Sequence, residues 1–140
     1  MEVTALLFQG IFTAFEPLNL GLLIFGCLVG LFVGAMPGLG SVNGVAILIP
    51  ITFIVPPTAA IIFLAAVYYG AMYGGAISSV MLGIPGASTA VATVFDGRPL
   101  AQKGEAMTAL TAAAVGSFIG GTVSVILFTL FAPPLAEVAL

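Results

Sequence analysis

Between Pro17 and Phe95 the chain carries no Lys, Arg, Asp, Glu or His, and most positions are apolar. An apolar run of about 20 residues is enough to cross a bilayer, so this stretch predicts several membrane segments. Proline and glycine divide it. Residues 18–36 form a first span that stops at Pro37, and 43–55 form a shorter one that stops at Pro56-Pro57. The second is short for a crossing and fits a half-helix or re-entrant segment. Spans near 58–76 and 77–94 follow, then a loop over 95–107 and a last clear span over 108–131, closed by Pro133-Pro134. Leu135–Leu140 opens a new apolar segment. Ahead of all these, Val3–Phe15 is apolar but short, and Glu16-Pro17 closes it as an interfacial or re-entrant helix. The expected fold class is all-α: a polytopic transmembrane helix bundle with broken or re-entrant helices. Residues 1–140 make one transmembrane domain, expected to be the amino-terminal part of a longer membrane protein.

Two interruptions stand out, Pro37-Gly38-Leu39-Gly40-Ser41 and Pro85-Gly86-Ala87-Ser88. Backbone facing lipid must satisfy its own hydrogen bonds, so unwound segments persist only inside protein or beside water. Broken helices in a chain nearly free of charge read as a transporter. Ser41 and Asn43 follow the first break, and Ser88 and Thr89 follow the second. Half-helix amino termini suit a carboxylate, whereas carboxyl ends and hydroxyls can coordinate Na⁺. The candidate substrate and ion path therefore comprises Pro37, Gly38, Gly40, Ser41, Asn43, Pro85, Gly86, Ser88 and Thr89. Ser78 and Ser79, which lead into the second break, join it. Tyr73 is either an interfacial anchor or a donor on the same path.

Small residues recur at four-residue spacing, which places them on one helix face. Gly26, Gly30 and Gly34 form one row, Gly70 and Gly74 a second, and Gly116 and Gly120 a third. Such rows let helix backbones approach closely. They can serve static packing, a sliding face during transport, or both.

Composition narrows the chemistry. Hydrophobic residues make up 61% and charged residues 5%, against about 25% charged in ordinary soluble domains. No basic patch exists for nucleic acid. Cys27 is alone and His is absent, so neither a disulfide framework nor thiolate or imidazole metal chemistry is available. No metal site, cofactor or enzymatic activity is expected, apart from a coupling Na⁺ or H⁺. The first residues lack the positive region of a secretory signal. Both cations, Arg98 and Lys103, lie with Asp96 in the 95–107 loop. The positive-inside rule assigns that loop to the cytoplasm.

The run Gly34–Gly40, the segment Tyr68–Gly75, Gly83-Ile84-Pro85-Gly86, Asp96–Ala101 and Gly116–Thr122 together resemble a known family. It is the large membrane subunit of tripartite tricarboxylate transporters, the TctA family. The resemblance covers almost the whole chain, and family members are several times longer. It implies a permease of the bacterial inner membrane that takes up tricarboxylates or related carboxylates by ion-gradient-driven symport. It also implies a small membrane subunit and a periplasmic substrate-binding protein as partners. Carried over, Pro37, Gly38, Gly40, Pro85 and Gly86 become transport-site elements. This chain has Gly86-Ala87-Ser88 where relatives commonly place an acidic residue. The rival reading is a non-transporting membrane scaffold or assembly protein whose glycines serve packing alone.

Overall fold

The computed structural model describes residues 2–139, with side-chain surroundings given for 7–132 and for Leu135. Among the described residues six α-helices run in the order α1 (Glu2–Ala14), α2 (Pro17–Ala35), α3 (Gly40–Leu48), α4 (Pro57–Leu82), α5 (Val91–Gln102) and α6 (Ala106–Ala139). A 3₁₀ segment, Ile49–Ile54, extends α3, and a 3₁₀ turn, Ser88–Ala90, precedes α5. No strand occurs among the described residues. The molecule is an all-helical bundle. Among the described residues three helical stretches are long and apolar enough to cross a membrane: Pro17–Ala35, Pro57–Leu82 and Ala106–Ala132.

Local chemistry sets several boundaries. Pro17 and Pro57 occupy the first helical position of α2 and α4, where the missing N–H costs no intrahelical bond. Glu16-Pro17 turns the chain between α1 and α2. The Asn19 amide, buried at this corner, donates to the Thr13 carbonyl at 2.6 Å.

α4 is the spine, touching α2, α3, α5 and α6. Its buried side chains Ala59, Phe63, Ala66, Val67 and Ala71 are small apart from Phe63, which stacks on Phe25 of α2 at 6.2 Å. The α2–α4 crossing is made largely of backbone. A Cβ on Gly26 would stand 2.8 Å from the Phe63 carbonyl oxygen, and one on Gly30 or Gly34 would overlap the carbonyl of Val67 or Ala71. The arrangement is reciprocal, since Gly70 and Gly74 face the carbonyls of Cys27 and Leu31. Neither row can carry a side chain.

The structure differs from the sequence expectation in four places, three of them boundaries. Spans 58–76 and 77–94 are not separate, because α4 is one helix through Leu82. The Gly70 and Gly74 row within it is a contact face with α2, and tight packing offsets the weak helix propensity of glycine. The 95–107 loop is mostly helix: Asp96 and Arg98 lie in α5 and Lys103 is its C-cap. Gly97 fits closely against Val80, and Arg98 Nη1 donates to the Met81 carbonyl at the carboxyl end of α4. These contacts override the turn preference of Asp-Gly and Arg-Pro pairs, which favoured a loop here. The aqueous turn shrinks to Lys103–Glu105, where Gly104 takes a φ of +85°.

The third difference is that α6 continues through Pro133-Pro134 to Ala139, so the apolar segment expected to open at Leu135 extends the same helix. Proline's φ is helical, and membrane helices tolerate the lost bond. Leu140 lies outside the described residues. Last, Gly116 and Gly120 are exposed, and a Cβ on either meets nothing within 4 Å. α6 meets α4 nearer its amino end, where Ala109 is buried and Leu110 receives the Tyr73 hydroxyl.

Candidate functional site

The first break begins where α2 ends. Met36 is extended (φ −82°, ψ 111°), as a residue before proline prefers, and the chain turns through Gly38 (φ +93°) and Gly40 (φ +68°) into α3. Positive φ at both positions calls for glycine. The second break begins at Gly83, which ends α4 in the left-handed conformation, and passes through extended Ala87 to the Ser88–Ala90 turn. α4 reverses the chain between the two.

The breaks meet. Gly38–Asn43 and Pro85–Ser88 line one cavity of about 410 Å³. Gly86 is wedged against the Gly34 carbonyl, the Ser78 hydroxyl and the Cα of Gly75, so backbone closes one side of the junction. The first turn of α3 lines the cavity, and N–H groups of a first turn have no intrahelical partner. Asn43 adds an exposed amide, and Ser88 an exposed hydroxyl. Among the described residues no ionisable side chain lines the cavity. The arrangement offers neutral donors and acceptors to a ligand.

Seven of the expected path residues therefore share one cavity: Gly38, Gly40, Ser41, Asn43, Pro85, Gly86 and Ser88. Five do not line it. Pro37 is exposed in the first turn. Tyr73 is half-buried, and its hydroxyl donates to the Leu110 carbonyl at 3.3 Å, tying α4 to α6. Ser78 and Ser79 are buried within α4. Their hydroxyls face the Gly75 carbonyl at 3.0 and 2.7 Å, and Ser79 also lies 3.1 Å from the Ala90 carbonyl. Those hydroxyls are engaged in structure. Thr89 faces a neighbouring cavity of about 320 Å³, shared with Met72, Thr93 and Gly116.

Sequence reasoning missed Leu39, Val42 and Ala87 as lining residues, and Met72 as a contact of both breaks. Adjacency to the Pro-Gly pairs could have marked the first three. Nothing local marks Met72. Among the described residues no group of three or more His, Cys, Asp or Glu could hold a metal ion.

Residues 20–140 match the tripartite tricarboxylate transporter TctA family. Over all 140 residues the chain is 42% identical to a protein of Agrobacterium vitis described as an uncharacterized 52.8 kDa protein in the TAR-I ttuC' 3'region. The chain spans 28% of that relative's length. No solved structure matches it. Apolar spanning helices and a family match over most of the sequence lead to one conclusion: this multi-pass membrane chain belongs to the tripartite tricarboxylate transporter TctA family.

Proposed function

We propose that the chain is the transport-site portion of the large permease subunit of a binding-protein-dependent secondary transporter for tricarboxylates or related carboxylates. The observation that carries this reading is the convergence of both Pro-Gly breaks on one uncharged cavity. A carboxylate there is held by N–H groups of the α3 first turn, the Asn43 amide and the Ser88 hydroxyl. A co-transported cation, Na⁺ or H⁺, offsets its charge, because the lining supplies none. Family membership supports a small membrane subunit and a periplasmic substrate-binding protein as partners, in a bacterial inner membrane. The Arg98–Lys103 end faces the cytoplasm.

Bulky substitution at Gly86 cannot test the site, because Gly86 has no room for any side chain. Asn43 is exposed and separable from packing. In a full-length family member carrying this segment, reconstituted with its partner subunits, Asn43→Leu is expected to cut gradient-driven citrate uptake severalfold. Its abundance in the membrane should not change. Undiminished uptake would overturn the site assignment, and uptake that ignores the ion gradient would overturn the coupling.

A further inference from the structure

The two breaks are joined by backbone at Gly34 and Gly86, but a second link uses a side chain that neither break contains. Ser41 opens α3 after the first break, and its hydroxyl lies 3.4 Å from the Met72 sulfur. Thr89 follows the second break, and its hydroxyl lies 3.7 Å from the same sulfur. Met72 sits midway along α4, half-buried, between the two segments. It lines the second cavity with Thr89, while Ser41 lines the first. One thioether thus receives a hydroxyl from each break.

A thioether is a weak acceptor. Two hydroxyls resting on it are oriented without being tied up as they would be by a carbonyl, in contrast to Ser79. A methionine is also unbranched and adaptable, so its sulfur can follow small shifts of either segment. We propose that Met72 is a positioning residue that keeps the two breaks in register through Ser41 and Thr89. Its place in transport rests on the cavity being the transport site; its geometric role does not.

The test separates the two. In a Cys27→Ala background, spin labels at Val42→Cys and Val91→Cys, both exposed, report the spacing of the breaks in lipid nanodiscs. Met72→Leu keeps the volume and removes the acceptor, whereas Met72→Gln restores an acceptor oxygen. The expected result is a clearly broadened distance distribution for Met72→Leu and a narrow one, close to the parent's, for Met72→Gln. Circular dichroism should show unchanged helix content in both. An unchanged distribution for Met72→Leu, or equal broadening in both variants, would overturn the proposal.

In the reconstituted full-length transporter, Met72→Leu should raise the KM for citrate severalfold with little change in maximal rate, and Met72→Gln should reverse that. A fall in maximal rate alone would count against positioning. Broadened distances combined with normal uptake by Asn43→Leu would leave the Met72 link standing and remove the transport site.

Discussion

Gly86 lies so close to the carbonyl oxygen of Gly34 that no side chain fits between them. One residue lies within the second break and the other stands just before the first, so the contact clamps two remote turns together. Gly38 is different in kind. Its Cβ would meet nothing within 4 Å, and its requirement is a φ of +93°.

These two glycines should respond differently to alanine. Gly86→Ala forces apart backbone at Gly34 and Gly75 and should cost about 3 kcal/mol, the upper end for overpacking. Gly38→Ala incurs only backbone strain, about 1–2 kcal/mol. Denaturant unfolding in detergent micelles measures both, and a larger loss for Gly38→Ala would contradict the geometry.

The glycine rows make a second contrast. Gly30→Ala drives a methyl into the Val67 carbonyl and should loosen the α2–α4 crossing by about 1–3 kcal/mol. Gly120→Ala meets open space on α6 and should stabilise this chain by about 0.5–1 kcal/mol through helix propensity. Thermal unfolding of the purified chain reads both signs. A destabilised Gly120→Ala would mean that this face of α6 is covered.

A third expectation concerns the α4 terminus. Arg98 places its guanidinium on the Met81 carbonyl, where a cation also complements the helix dipole. Arg98→Ala should cost about 0.3–1 kcal/mol, and Arg98→Lys less, because charge survives while the planar fork is lost. Asp96→Asn, at an exposed position, should leave the melting temperature unchanged. A larger drop for Asp96→Asn than for Arg98→Ala would reassign the cap.

The parts of the fold legible in sequence were those that proline and glycine enforce locally. Pro37-Gly38 and Pro85-Gly86 interrupt helices because of their own backbone chemistry, and the absence of charge around them demands a membrane. The same local logic placed a span boundary at 76–77, just past Gly74-Gly75, inside what is one helix. A glycine inside a membrane helix carries the same letter as one in a turn, and only the opposing α2 backbone tells them apart. Asp96-Gly97-Arg98-Pro99 misled for a similar reason, since Val80 and Met81 hold that segment in helix from another element. Of the site, the residues of both breaks could be named from sequence. Their meeting in one cavity could not, because it depends on how α4 reverses the chain. Ser78 and Ser79 illustrate the remaining gap. A hydroxyl is an equally good ligand or structural donor until its acceptor, here the Gly75 carbonyl, is seen.

The contact between Gly34 and Gly86 contains no side-chain atoms, and this separates two kinds of inheritance within the chain. The spacing of the breaks is written at positions where any addition is excluded. The chemistry of the cavity is written at Asn43 and Ser88, which are exposed and free to be exchanged. Substitution can thus reshape the wall of the cavity, while the frame around it stays under a purely steric veto.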